Sequence, residues 1–283
     1  MHEFITSLHF FRFIHYFCCM LSITLTSDFG SQNYALASVK GKILSAFPES
    51  TITDISNTIT PFNLQQAVYI FKQAYRYFPS GSFHFIFNDL YADSKRQLLY
   101  AYENQQHIFC ADNGFLTLLF DDKPIKLYRL TERILEYNYL TVADVFIGHV
   151  ASILHHNPIG IDVIDVNSVV IKHPAYASQK EHTLEAQVLH IDTFGNVVLN
   201  VTKSQFEEAR GGRKFKILFM RDEEINQLSE HYNDVPEGNK LCLFNTAGYL
   251  EIAIHKGNAA SLFGFQIKNE RNLFYNNIKL FFE

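Results

Sequence analysis

The chain has 283 residues, with 29 acidic against 24 basic side chains, a formal net charge of −5 and 47% hydrophobic residues. This globular composition is long enough for one large domain or two smaller ones, and its slight negative balance argues against a nucleic-acid partner, which calls for a broad cationic face. Cys18, Cys19, Cys110 and Cys242 follow neither a zinc spacing nor a disulfide framework, so no metal site is expected, and 27 Phe and 15 Tyr with no Trp supply mainly core material.

Residues 1–21 hold an apolar run interrupted by Thr6, His9, Arg12 and His15, too broken for a span of roughly 18 or more apolar residues. No membrane partner is expected. The run also lacks the basic start and small-residue cleavage site of a secretory signal. Met20 directly precedes the alternating stretch Leu21–Thr26, so the native protein is expected to start there, in the cytoplasm. Residues 1–19 are then a non-native extension, with a cleaved signal as the alternative.

Strand 21–26 is followed by Ser27-Asp28-Phe29-Gly30 and by apolar residues at Leu36, Val39, Ile43, Leu44 and Phe47, one face of a helix that Pro48 closes. Thr51–Ser56 alternates as a strand, and Asn63 caps a helix running to about Phe78, where Pro79-Ser80-Gly81 stops it. Ser82–Phe87 is an apolar strand ending at Asn88-Asp89. Leu98–Tyr102 and His107–Cys110 are further strands, the second ending at Ala111-Asp112-Asn113-Gly114 before the apolar run Phe115–Phe120. This alternation predicts an α/β layered domain over residues 20–165 with a mostly parallel sheet. Ligands of such sheets gather beyond the carboxyl ends of the strands, where Asp28, Asp89 and Asp112 stand.

The character then changes. Residues 166–174 read as a linker, although Val166–His173 itself has a strand-like pattern, and residues 175–283 as a second, all-β domain. Its short runs are Thr183–His190, Val197–Val201, Lys214–Met220, Asn239–Asn245 and Tyr249–Ile254, with a polar insert near 221–233. Even spacing of this kind predicts a small β barrel or sandwich, with a barrel preferred.

Five signatures carry chemistry: Thr26-Ser27-Asp28-Phe29-Gly30; Asp89 with Arg96 seven residues later; Asp112-Asn113-Gly114; Ile191-Asp192-Thr193-Phe194-Gly195-Asn196; and Asn245-Thr246-Ala247-Gly248-Tyr249-Leu250-Glu251-Ile252-Ala253 with Gly257-Asn258-Ala259-Ala260. In this order and spacing the chain resembles the S-adenosyl-L-methionine hydroxide adenosyltransferases, relatives of the fluorinase and chlorinase enzymes. The resemblance implies hydrolysis of S-adenosylmethionine to adenosine and methionine without a cofactor. It also implies a homotrimer in which the substrate lies between the N-terminal domain of one subunit and the C-terminal domain of its neighbour. The alternatives are a nucleoside-binding protein that has lost catalysis and an enzyme passing the adenosyl group to another small nucleophile.

By the same resemblance, Asp28 holds the ribose diol, Asp192 meets the methionine amine, and Thr246 faces the same tail. Phe194, Asn196 and Tyr232 frame adenine, and backbone groups at Asn258 and Ala259 read its edge. Water is a poor nucleophile at neutral pH and calls for an acceptor beside the attacking oxygen. Asp89 fills that role, with Arg96 keeping it ionised. A carboxylate there would repel a halide, so water is the expected nucleophile. One departure stands out: the family's histidine position is occupied by Thr141 in Leu140-Thr141-Val142-Ala143-Asp144, and the loop after Asp89 reads Leu90-Tyr91-Ala92-Asp93. Impaired catalysis is expected. His149 is the nearest substitute, although a lone histidine in an apolar helix reads first as core.

Overall fold

The computed structural model describes residues 20–92, 97–121, 123, 125–132, 134–220, 223–267 and 278–283. The expected extension at 1–19 and the expected catalytic Arg96 lie outside these residues.

The N-terminal half runs β1 (Ser22–Ser27), α1 (Tyr34–Ala46), β2 (Thr51–Ser56), α2 (Leu64–Ala74), β3 (Phe83–Phe87), β4 (Leu98–Glu103), β5 (Gln106–Ala111), α3 (Phe115–Phe120), β6 (Lys126–Leu130), α4 (Tyr139–Leu154) and β7 (Ile161–Ile164). Helix starts are set locally: Asn33 accepts the N–H of Ala35, and Asn63 accepts that of Gln66, each satisfying an orphan donor of a first turn. The seven strands form one sheet in the order β2-β1-β3-β5-β4-β6-β7. It is parallel across β2-β1-β3-β5 and antiparallel across β5-β4-β6-β7, so the expectation of a mostly parallel sheet holds for only one side. The reversal is local chemistry. Asn104 and Gln105, both at positive φ (50° and 60°), join β4 to β5 in a two-residue hairpin turn that forces antiparallel pairing. β6 and β7 were not anticipated.

Every residue of β3 is buried because helices cover both faces of the sheet. Phe83, Phe85 and Phe87 face a core with Val39 and Ile43 of α1 and Phe146 and Val150 of α4. Ile86 faces the opposite core, with Phe71 of α2 and Phe115 of α3. His84 is buried among these apolar side chains with both ring nitrogens engaged, 2.7 Å from Thr24 Oγ1 and 3.0 Å from Gln106 Oε1. Gln106 Nε2 donates to the Phe78 carbonyl, so its Oε1 faces the ring as an acceptor. The ring therefore carries a proton on Nε2, and burial pushes its pKa down to about 4.

The C-terminal half runs β8 (Ser178–Lys180), β9 (Thr183–Ala186), β10 (Val188–Ile191), β11 (Val197–Thr202), α5 (Lys203–Arg210), β12 (Phe215–Met220), β13 (Glu223–Ile225), β14 (Lys240–Phe244), β15 (Tyr249–Ile254), α6 (Ala259–Phe263) and β16 (Ile278–Phe282). Its strands make two antiparallel sheets, β10-β11-β15-β14 and β13-β12-β16-β9-β8, which share one core including Leu199, Ile252, Ile217 and Leu280. Among the described residues the ladders form two sheets and not the closed barrel expected from strand spacing. Strand spacing alone does not determine whether a last strand pairs with the first. The strand-like reading of Val166–His173 is also corrected: Asp165 caps a short 3-10 turn at Val166–Ser168, and the rest runs without a ladder. Among the described residues no helix is long and apolar enough to cross a membrane.

Helix α2 docks the halves together. Gln66 Nε2 donates to His190 Nδ1 at 3.0 Å, and the Tyr69 ring meets Tyr249 edge-on with centroids 5.3 Å apart.

Candidate active site

Asp28 follows β1, Asp89 follows two residues after β3, and Asp112 follows β5, so the three parallel strands deliver three acids to one sheet edge. Asp28 Oδ2 accepts the backbone N–H of Phe62 and that of Asp89, both at 3.1 Å. Both donors sit in the left-handed region, at φ 66° and 47°, where a phenylalanine is a true outlier and an aspartate uncommon. Such conformations cost about 1–3 kcal/mol each and persist where their surroundings over-determine them. Here a single carboxylate gathers both strained peptides. Asn113 Nδ2 donates to the carbonyls of Asn88 (2.8 Å) and Asp89 (3.3 Å), tying the Asp89 turn to the end of β5. Asp112 Oδ1 accepts Val170 N–H at 2.8 Å and so anchors the segment leading to the second half. Asp28 does not cap α1; Asn33 does.

Position 141 lies at the start of α4. Thr141 occupies the third position of this helix and closes a capping box with Asn138: its Oγ1 accepts Asn138 N–H at 3.0 Å while its own N–H donates to Asn138 Oδ1 at 3.1 Å. Its hydroxyl also donates toward the Glu136 carbonyl at 2.7 Å. The side chain is therefore built into the helix start. Ala143 is fully buried against the sheet, and Asp144 pairs with Lys42 at 2.6 Å on the outside. His149 lies eight residues beyond Thr141, about 12 Å along the helix axis. It is 2% exposed, with Nε2 held by Glu132 at 2.7 Å, which fits the core reading and not the substitute one.

A second cluster belongs to the C-terminal half. Asp192 closes the turn between β10 and β11: Oδ1 accepts the N–H of Phe194 (2.9 Å) and of Asn196 (2.8 Å), and Oδ2 accepts Asn196 Nδ2 (3.0 Å). This leaves the Phe194 ring 76% exposed. Gly195, at φ 81°, is packed by the Asn258 side chain so closely that a Cβ there would lie 2.2 Å from it. The Gly195 carbonyl also accepts Ala260 N–H at 2.9 Å. Asn258 caps α6, and Ala259 is fully buried behind it. Residues 192–196 and 258–260 thus form one unit.

Asp192, Tyr232 and Thr246 line an open cleft of about 810 Å³. Its lining also includes Tyr69, His190, Asn245 and Glu251, to which the sequence assigned no role. The Tyr232 hydroxyl donates to Glu251 Oε1 at 2.7 Å, and Asn245 Nδ2 donates to Glu251 Oε2 at 3.1 Å. Burial raises the Glu251 carboxyl above its ordinary value; the two hydrogen bonds oppose that rise and Asp192 adds to it. Burial likewise pushes Tyr69 up to about 12 and holds His190 below its usual value. The one sequence signal for Glu251 was its position as the lone acid in the apolar strand Tyr249–Ile254. The cleft includes neither Asp28 nor Asp89.

The chain matches the N-terminal domain of SAM hydroxide adenosyltransferases over residues 23–161 and their C-terminal domain over residues 186–271. It is 25% identical over 273 residues to a Methanocaldococcus jannaschii protein named (R)-S-adenosyl-L-methionine hydrolase, spanning 89% of this chain and 95% of that one. A Thermus thermophilus protein of the same name is 23% identical over 265 residues, spanning 87% and 97%. In fold, the chain is similar to an uncharacterized conserved protein from Thermotoga maritima, with a TM-score of 0.74 at 21% identity over 92% of this chain and 99% of that one.

Proposed function

We propose that this chain, which belongs to the SAM hydroxide adenosyltransferase family, hydrolyses S-adenosyl-L-methionine to adenosine and L-methionine. Two relatives bear the name of that hydrolase. The observation that carries the reading is the bond from Asp89 N–H to Asp28 Oδ2 at 3.1 Å. It sets the Asp89 backbone against the Asp28 carboxylate, which supports reading Asp28 as the acid for the ribose diol and Asp89 as the acid for the oxygen that attacks C5′, since in a nucleoside those two positions are neighbours.

The chemistry balances simply. A water oxygen attacks C5′, the C5′–S bond breaks, and its electron pair neutralises the sulfonium to give the thioether of methionine. One proton leaves the attacking water, accepted by Asp89 and released to solvent. A positioned base of this kind contributes about 10²–10⁴-fold. Arg96 is assigned to keep Asp89 ionised, as a nearby cation favours the charged form.

The C-terminal half supplies the rest, Asp192, Tyr232 and Thr246 from the cleft and the others from the turns beside it. Asp192 receives the methionine amine and Thr246 the same tail, while Phe194, Asn196, Tyr232 and the Asn258-Ala259 backbone receive adenine. Residues 20–165 and 175–283 act as two domains joined by 166–174. The absence of Asp28 and Asp89 from that cleft favours a site completed between subunits of a homotrimer. A monomer by light scattering would overturn that assembly. Mixing Asp28→Ala with Asp192→Ala chains should restore some activity, and no restoration would count against a shared site.

The reaction is tested by one turnover with enzyme in excess in ¹⁸O-water. Adenosine labelled at the 5′-hydroxyl with unlabelled methionine is expected. Unlabelled adenosine would mean that Asp89 attacks C5′ itself and the ester is then hydrolysed at its acyl carbon. Substrate recovered bound and unchanged would mean a binding protein, and a 5′-substituted adenosine another nucleophile.

A further inference from the structure

Two of the cleft's polar groups hang on one buried side chain. Glu251 stands in the middle of β15 between Leu250 and Ile252, both fully buried in the core, and is itself only 3% exposed while lining the cleft. One carboxylate oxygen takes the Tyr232 hydroxyl and the other takes Asn245 Nδ2, which fixes the carboxylate's orientation from both ends. Asn245 in turn accepts the N–H of Ala247 (3.0 Å) and of Tyr249 (3.2 Å) through Oδ1, shaping the turn that presents Thr246. Among the described residues no lysine or arginine lines the cleft, and Glu251 is held there by hydrogen bonds. Retaining a carboxylate in such a place costs free energy that an apolar residue would avoid.

We propose that Glu251 is a positioning residue for substrate capture, holding the Tyr232 ring and the Thr246 turn in the arrangement that receives the two ends of S-adenosylmethionine. This rests on the assignment of the cleft made above. Glu251 acts through Tyr232 and Asn245 and does not touch the reacting atoms, so its effect falls on binding and spares the displacement at C5′.

The test compares the unmodified protein with Glu251→Gln, Tyr232→Phe and the double variant, measuring KM, kcat and S-adenosylmethionine binding by calorimetry. A glutamine in this position keeps Asn245 Nδ2 on its neutral amide oxygen but meets Tyr232 with an N–H, so the phenol must turn from donor to acceptor and both bonds to the charged carboxylate are lost. Glu251→Gln is expected to raise KM at least about tenfold, the range for losing a hydrogen bond to a charged group, with kcat within about twofold. Tyr232→Phe is expected to raise KM less. The double variant should be no worse than Glu251→Gln alone, because both act along one path. Unchanged KM in Glu251→Gln, a fall confined to kcat, or additive effects in the double variant would overturn the inference. If Glu251→Gln does not fold, Tyr232→Phe decides alone, and an unchanged KM there overturns it. Failure of the unmodified protein to bind S-adenosylmethionine at all would overturn the proposed function itself, an outcome distinct from binding that Glu251→Gln leaves intact.

Discussion

The two halves of the molecule hold Asp28 and Glu251 by opposite means. At the edge of the N-terminal sheet, Asp28 is held by backbone N–H groups of Phe62 and Asp89, brought to it by strand order and by two peptides in the left-handed region. In the C-terminal cleft, Glu251 is held by the side chains of Tyr232 and Asn245, and Asp192 partly by that of Asn196. A cluster fixed by backbone tolerates isosteric changes of its acids, since shape survives and only chemistry is lost. A cluster fixed by side chains loses shape and chemistry together.

The strongest way to break this contrast is Asp89→Asn. Asparagine accepts positive φ as readily as aspartate, so the turn and its bonds to Asp28 and Asn113 should stay. Turnover should fall about 10²–10⁴-fold with the loss of the proton acceptor, while calorimetry shows binding nearly unchanged. Full activity would remove Asp89 from the chemistry.

Acid should separate the halves next. The folded-state pKa of His84 is about 4, well below the 6.5 of a free imidazole, and His107 is pushed to about 4 by burial as well. A depressed histidine contributes stability in full above pH about 6.5 and loses it as pH falls through about 4, amounting to about 3 kcal/mol for His84. Glu251 has the opposite sign: its raised value penalises the ionised folded form, and that penalty is relieved on acidification. Hydrogen exchange at pH 4.5 against pH 7 should therefore show β1, β3 and β5 losing protection before β14 and β15. His84→Gln should flatten the loss. Simultaneous opening of both halves would show that the two networks are not independent.

Asp28→Asn is milder. The amide oxygen can still accept both backbone donors, so melting temperature should change little, while KM for S-adenosylmethionine rises about tenfold because a charged acceptor is exchanged for a neutral one. A large loss of stability would mean that the charge, and not the shape, holds the strained Phe62 and Asp89 peptides.

The same contrast explains what the sequence could disclose. Strand-helix alternation from β1 to β5 was legible because each strand is an apolar run with a punctuating turn, and the acids of interest sit at the punctuation: Asp28, Asp89 and Asp112 were found by position alone. Strand direction is not encoded in an apolar pattern, so the antiparallel side of the sheet was missed until the Asn104-Gln105 turn revealed it. β6 (Lys126–Leu130) was missed because Lys126 and Arg129 blur its alternation, and α5 because it is an eight-residue polar helix behind a strand. Glu251 escaped for a further reason. Its partner Tyr232 lies 19 residues away with β14 between, and a contact between side chains on separate segments leaves no period to read.

The smallest expected effect concerns Thr141, the position where resemblance anticipates a histidine. Two readings compete: Thr141 as a weakened member of the catalytic set, or as a helix cap. Its Oγ1 meets Asn138 N–H at 3.0 Å and the Glu136 carbonyl at 2.7 Å, so the hydroxyl is already committed as both acceptor and donor. Thr141→Ala should then cost about 1 kcal/mol of stability, the usual worth of a cap interaction, and leave kcat within about twofold. Thr141→His would forfeit the same cap. The imidazole cannot reproduce the reciprocal bond at that short range, so stability should fall without a gain in turnover. An increase in turnover on Thr141→His would show that the site still has room for the missing acid–base group. A large fall in kcat on Thr141→Ala would instead make the hydroxyl part of the reaction, and the distinction between a backbone-fixed and a side-chain-fixed half would fail at this helix start.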